Sequence, residues 1–192
     1  MNKPVIIMES PDRPNVYLEV VKRPSSTGGE NTAENSIFEV IDPIIKRLKE
    51  NGKEFPKTVI YVPLKWCGIL HHRTVTTLEN EAANFTDIVS QYHSPQSTQM
   101  KTWIINDMRD VQEGRLRLLY ATEAYGMGID VPDIRHVVHV GPPSNMETYV
   151  QEIGRCGRDG EQSIATLFYN NTDLSSVYLN DKMKNYVKNV SV

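Results

Sequence analysis

Apolar positions along this chain switch repeatedly between a strand period and a helix period. Tyr17 to Val21 is a short β-prone run. Ser36 then stands where a helix cap would, and Ile37, Ile41, Ile44, Ile45 and Leu48 recur at helical spacing. Pro43 falls inside that pattern and is expected to split or bend the helix. Thr58 to Val62 reads as a strand buried on both faces. Residues 64 to 83 are expected to be helical, with a weaker pattern, and Ile88-Val89 marks a short strand before the break at Ser94-Pro95. Met100, Trp103, Ile104, Met108 and Val111 share one face of an amphipathic helix expected to end near Gly114. Further strands are expected over Arg117 to Ala121, His136 to Val140 and Ala165 to Tyr169. Ser144-Asn145-Met146-Glu147 has the form of a capping box, opening a helix that carries Tyr149, Val150 and Ile153 inward. A last helix spans Leu174 to Tyr186, and Pro24 to Asn31 is a polar, glycine-containing loop.

Strands alternating with helices through short links predict an α/β fold: a parallel β-sheet with helices on both faces and right-handed crossovers. Ligands of such sheets bind beyond the carboxyl ends of the strands, which directs attention to the loops after Val62, Ala121 and Val140.

The length of 192 residues suits one domain, and 39% apolar with 23% charged residues is ordinary globular usage. No apolar run reaches the roughly 18 residues that span a bilayer. Met1 to Val5 lacks a basic stretch followed by an apolar one, so no secretory signal is expected. Cys67 and Cys156 lie far apart without metal-ligand spacing, and read as reduced thiols of an intracellular protein with no metal site of its own. The net charge of −3 argues against strong binding to a phosphate backbone by this chain alone. Either it binds none, or it supplies one wall of a groove completed by other parts.

The strongest constellation is Gln151-Glu152-Ile153-Gly154-Arg155-Cys156-Gly157-Arg158-Asp159-Gly160. On a continuing helix the two arginines, three positions apart, would point the same way. Gly154 and Gly157 would let another surface approach. A guanidinium fork matches phosphate oxygens and keeps its charge, so the pair suits a polyphosphate. Pairing with carboxylates such as Glu152 and Asp159 is the competing account of both arginines. Upstream, Ala121-Thr122-Glu123-Ala124-Tyr125-Gly126-Met127-Gly128-Ile129-Asp130 leaves a strand through a glycine-containing turn. It offers backbone N–H groups, a hydroxyl and a carboxylate at the ligand edge, or simply an ordinary turn. Trp66, His71, His72 and Arg73 form an aromatic and basic cluster, suited either to stacking on single-stranded DNA or to a solvated helix face anchored by one Trp.

The first of these strings resembles the sixth motif of RecQ-family helicases. The second, followed by His136-Val137-Val138-His139, resembles the fifth. Ser10 to Asn15 resembles the opening of the second lobe in that family, and Phe168-Tyr169 with Asp173 its close. The resemblance implies a lead-in over residues 1–9, a RecA-like second helicase lobe over 10–174 of the P-loop NTPase type, and a C-terminal helix over 175–192 that begins the following region. It further implies that Arg158 is an arginine finger for the γ-phosphate, worth roughly 10³ to 10⁵ in rate. Arg155 and Gln151 would sense or bind the same nucleotide. Gly128 and Asp130 would lie near the ribose or couple the lobes. Thr122, Lys65 and His93 would face DNA.

The fourth motif departs from the family pattern, with Val62, Leu64 and Lys65 where relatives show Y-C-x-S-R. Tyr92-His93-Ser94-Pro95 matches Y-H-A-G only in its first half. The sequence holds no G-x-x-x-x-G-K-[ST] loop and no D-E-x-H string, so ATP with Mg2+ is expected to be bound mainly by an N-terminal RecA-like lobe. The implied partners are that lobe and DNA, as single strand and duplex junction, with no membrane. The implied location is the nucleus of a eukaryote or the cytoplasm of a bacterium. Two other readings stand beside the motor: a stand-alone, non-catalytic module that docks on a protein or nucleic acid, and a lobe of an RNA helicase.

Overall fold

Residues 13–24, 32–79, 86–126 and 129–190 are described in a computed structural model of the chain. In order they form Val16–Lys22 (β1), Thr32–Asn51 (α1), Thr58–Tyr61 (β2), Leu64–Glu79 (α2), Val89–Tyr92 (β3), Thr98–Arg109 (α3) and Leu118–Ala121 (β4). His136–Val140 (β5), Met146–Ile153 (α4), Ser163–Tyr169 (β6), Asn171–Leu174 (α5) and Asp181–Val190 (α6) follow. The strands make one six-stranded sheet in the order β1-β6-β5-β2-β4-β3, and every pairing is parallel. Helices cover both faces, as the alternating pattern predicts.

Neighbouring residues of a strand face opposite ways, and the central strands bury both sets. Ile60 lies between Tyr120 and Val138 in register and packs under Ile41, Leu48, Leu70 and Leu78 of α1 and α2. Val59 and Tyr61 turn to the other face, under Ile104 and Met108 of α3 and Tyr125, Ile129 and Ile134 of the connection to β5. On that side Tyr149 of α4 joins Val20, Leu167, Met183 and Val187 in a third cluster. Among the described residues no helix is long and apolar enough to cross a membrane.

Several local expectations are corrected. Helix α1 runs unbroken through Pro43, because Pro43 and Glu39, whose carbonyl it cannot serve, both face solvent. In α3 only Ile104 and Met108 of the five expected residues are fully buried. Met100, Trp103 and Val111 are 45%, 48% and 57% exposed. The helix also stops at Arg109 rather than Gly114: the Asp110 carboxylate accepts from the Gln112 and Glu113 N–H groups, and the Asp107 carboxylate from Arg115 and Leu116. The cap of α4 is Asn145, whose side chain accepts from the Thr148 N–H at 2.8 Å, so Ser144 lies outside and Val150 points to solvent. The expected last helix is two. Asn170 and Asp173 make a reciprocal capping box for α5, and Asn180 Oδ1 accepts from the Lys182 backbone N–H at the start of α6.

Both cysteines are free and buried, and burial pushes the Cys67 thiol up to about 12 and the Cys156 thiol up to about 11. His136 opens β5 with Nε2 3.0 Å from the Thr166 hydroxyl. Burial, with a contribution from the Arg47 charge, lowers its pKa from 6.5 to about 4. Between those values the unfolded chain takes up a proton more readily than the folded one. The stability is present above pH 6.5 and is lost as pH falls toward 4. The melting temperature is therefore expected to fall from pH 7 to pH 5. His136→Gln, which keeps a donor for Thr166 and does not titrate, is expected to flatten that slope in thermal melts.

Candidate functional site

Helix α4 ends at Ile153, and residues 154 to 160 leave helical geometry in a series of turns. These turns are stapled to the segments that enter two strands. The Gly157 N–H donates to the Ile134 carbonyl at 2.8 Å and the Asp159 N–H to the Pro132 carbonyl at 3.2 Å, just before β5. Arg13, just before β1, donates to the Cys156 and Gly157 carbonyls at 2.8 and 2.7 Å. Asn15 Nδ2 donates to the Gly157 and Glu161 carbonyls at 2.8 and 2.9 Å. Gly157 has φ +56, and a Cβ there would lie 2.5 Å from Ser163 Oγ and 2.6 Å from Asn15 Nδ2. Its missing side chain thus serves internal packing rather than the approach of another surface.

The two arginines converge although the backbone between them is not helical. Arg155 is buried, donates from Nη1 to the Ile129 carbonyl at 2.8 Å, and holds its guanidinium 5.8 Å from the Tyr125 ring centroid. Arg158 donates to the same carbonyl at 3.2 Å and to Asp130 Oδ1 at 2.5 Å. The sequence-level carboxylate partners are engaged elsewhere: Glu152 with His139 at 2.8 Å, and Asp159 with Arg135, which holds the Asp159 carboxyl below its usual range. A third guanidinium, which sequence reasoning missed, reaches the same place: Arg109 Nε donates to the Asp130 carbonyl at 3.0 Å. Nothing in the sequence marked it, because it ends an amphipathic helix on another element. Gln151 is exposed on α4, and Gly128 lies outside the described residues.

A separate cleft of about 640 Å³ opens at the carboxyl ends of the strands, lined by Tyr61, Pro63, Trp66, Thr122, Pro142 and Tyr178 among others. Thr122 follows β4, its N–H donating to the Tyr92 carbonyl at 3.1 Å and its hydroxyl accepting from the Ala124 N–H at 3.3 Å. Lys65 and His93 flank this cleft through their lining neighbours Leu64, Trp66 and Ser94. Lys65 is exposed, with its ammonium 5.4 Å from the Trp66 ring, and Trp66 itself packs against the α1–α2 core. Burial, then the Lys101 charge, lowers the pKa of His93. The arginines are not in this cleft. Helix α4 starts at the carboxyl end of β5 and runs back, carrying its last residues toward the strands' amino ends.

Buried side chains connect the two places. The Tyr61 hydroxyl donates to the Tyr125 carbonyl at 3.1 Å, and its ring stacks on His139 at 5.0 Å. Burial first, then the nearby Glu152 carboxylate, raises the Tyr61 pKa. His139 and Glu152 also line the cleft, and Glu152 sits one helical turn before Arg155.

Of the three guanidinium groups, Arg158 meets the Asp130 carboxylate and is one-third exposed, which makes it the one suited to phosphate oxygens. Among the described residues no group of three His, Cys, Asp or Glu gathers as for a metal ion. Of the implied ATP and Mg2+, the residues present fit the phosphate portion.

Residues 39–160 match the family described as helicase conserved C-terminal domain. A protein of Acanthamoeba polyphaga mimivirus named as an ATP-dependent RNA helicase is 36% identical over 173 residues, 87% of this chain and 26% of that protein. The ATP-dependent helicase wrn-1 of Caenorhabditis elegans is 31% identical, over 92% of this chain and 15% of its own length. The bifunctional 3′-5′ exonuclease/ATP-dependent helicase WRN of Mus musculus is 34% identical, over 92% and 11%. The chain thus spans about a quarter or less of these relatives. Among solved structures, helicase Lhr of Mycobacterium smegmatis, bound to ssDNA and AMP-PNP, superposes with a TM-score of 0.64 at 21% identity, covering 82% of this chain and 20% of that one. A DEAD box protein from Methanococcus jannaschii gives 0.61 at 22%, covering 91% and 39%. These structures share the RecA-like fold.

The packing around the arginine turns is directly testable. Gly157→Ala is expected to lower unfolding free energy by about 2 kcal/mol or more, from strain plus the close contacts. Gly160→Ala, at φ +87 with nothing within 4 Å of its Cβ, is expected to lose only about 1 kcal/mol. Urea denaturation of both variants measures the difference.

Proposed function

The chain belongs to the helicase conserved C-terminal domain family, and from that premise we propose that it is the second motor lobe of an ATP-dependent, RecQ-like 3′-to-5′ DNA helicase. The observation that carries this reading is the convergence of Arg155, Arg158 and Asp130 on one site, away from the carboxyl-edge cleft. Phosphoryl transfer is catalysed mainly by positioning and charge stabilisation. In this reading Arg158, partly exposed, neutralises charge developing on the γ-phosphate of ATP held by an N-terminal lobe. Arg155, buried and fixed on the Ile129 carbonyl, sets the height at which Arg158 is presented. Gln151 faces the same nucleotide from α4, and Asp130 and Gly128 approach its ribose. An N-terminal lobe would supply the phosphate loop and hold the magnesium, which would neutralise charge on the transferring phosphates.

Thr122, Lys65 and His93 then form this lobe's share of the DNA track at the carboxyl edge. A chain of net charge −3 makes only one wall of such a track, and closure of the two lobes completes it. The proposed extent of the lobe is residues 10–174. The resemblance of the Gln151 to Gly160 string to the RecQ family favours DNA over RNA, and unwinding of matched DNA and RNA duplexes separates the two.

In the helicase that contains both lobes, Arg158→Ala is expected to reduce ATP turnover by roughly 10³-fold or more. The 192-residue chain alone is expected to hydrolyse ATP only at background rate. Undiminished turnover in the variant, or robust hydrolysis by the isolated chain, would overturn the proposal.

A further inference from the structure

We propose that the carboxyl-edge cleft receives an arginine side chain from an extended segment of a protein partner, with apolar residues on either side of that arginine. The inference goes beyond the motor reading and does not depend on the arginine turns.

The floor of the cleft carries more hydrogen-bonding capacity than the described residues use. His139 and Glu152 both line it and are 1% and 2% exposed. They meet each other through His139 Nε2 and Glu152 Oε2 at 2.8 Å. Their other polar atoms, His139 Nδ1 and Glu152 Oε1, are buried without a hydrogen-bond partner among the described residues. With the Nε2 proton directed at the carboxylate, a neutral imidazole keeps a lone pair on Nδ1. The floor thus holds two acceptors in need of donors, and buried groups of this kind are costly to leave unmatched. A guanidinium brings a rigid fork of N–H donors, which answers two acceptors better than a single hydroxyl does.

Charge points the same way. Arg23 and Asp173 also line the cleft but are paired with each other, at 2.9 and 3.0 Å. Glu152 and Glu123 remain as lining carboxylates that form no ion pair with Lys or Arg among the described residues. The nearby Lys65 holds its ammonium 5.4 Å from the Trp66 ring instead. A cation is therefore attracted into the cleft and a phosphate repelled. A DNA strand at Lys65 and His93 would keep its backbone along the rim.

A third atom favours a peptide over a free small cation. Arg23 Nε is buried without a hydrogen-bond partner, and a peptide carbonyl would accept from it. The cleft of about 640 Å³ is also of a size that holds a ligand of many atoms. On its walls Leu64 and Tyr178 are 51% and 86% exposed, surfaces that apolar residues beside the arginine would cover.

The test is fluorescence anisotropy of a labelled pentapeptide, Pro-Leu-Arg-Leu-Pro, titrated with the 192-residue chain. Saturable binding is expected. Citrulline in place of the peptide's arginine, neutral but of the same shape, is expected to weaken it about tenfold. Glu152→Gln is expected to weaken binding about tenfold, and the exposed Glu123→Gln about threefold. Tyr178→Ser is expected to weaken it about fivefold through lost apolar cover. Glu123→Gln and Tyr178→Ser alter exposed side chains, so both are expected to melt with the parent and to decide the matter even if Glu152→Gln does not fold. A short oligothymidylate is expected to leave the peptide in place. Equal binding of the citrulline peptide, or binding indifferent to both Glu123→Gln and Tyr178→Ser, overturns the inference. Displacement by the oligonucleotide would make the cleft a nucleic-acid site and overturns it too, as does the absence of binding at about 1 mM chain. Each of these failures leaves the role proposed for Arg158 to its own test, because none engages the arginine turns.

Discussion

Two parallel strands cannot be joined by a tight turn; the chain must cross a face of the sheet and re-enter from the opposite end. Everything functional in this chain depends on that constraint. Each crossover takes residues from the carboxyl edge to the amino edge, so one connection serves both ends. The segment from Thr122 to Arg135 begins beside the cleft after β4 and passes Ile129 and Asp130 on its way to β5. Helix α4 makes the next crossing, from Pro143 at the cleft to the arginine turns that meet Pro132 and Ile134. The carboxyl-edge cleft and the arginine turns therefore share two connections.

Between those sides lies a layer of polar and aromatic groups that a purely apolar core would not need. Tyr61, His139, Tyr149 and Glu152 stack and hydrogen bond in the interior, with both members of the His139–Glu152 pair fully buried. Buried polar pairs of this kind gain little over apolar packing but cost a great deal if one partner is removed. Their geometry is consequently narrow: Glu152 fixes the rotation of α4, and α4 sets where Arg155 emerges one turn later. Arg155 emerges there with its guanidinium 5.8 Å from the Tyr125 ring centroid.

Fold class and the main strings were legible from the order of residues. Val59 to Val62 and Leu118 to Ala121 are apolar on successive positions, as are Val137 and Val138, and a sheet buried on both faces explains that. The local errors have a common source. Pro43 did not break α1 because its defect faces water; Val150, Met100 and Trp103 sit on helices whose neighbours bury only part of an apolar stripe, and Val111 lies beyond the end of α3. Periodicity states which residues share a face. It does not state how much of that face another element will cover.

The sequence by itself determined the parallel α/β architecture and the membership implied by the Gln151 to Gly160 string, and it singled out Arg155, Arg158, Asp130 and Thr122 as candidates. Those properties are local, since period, turn chemistry and motif spacing all act over a few positions. Only the tertiary structure decided which carboxylate meets which arginine. Asp159 and Glu152, nearest in sequence, are taken by Arg135 and His139, and Asp130 is brought to Arg158 from another crossover. It also placed Arg109 among them, from the end of a helix with no motif to announce it. Charges find partners by distance in space, and spatial distance here is set by three crossovers meeting over one face of the sheet.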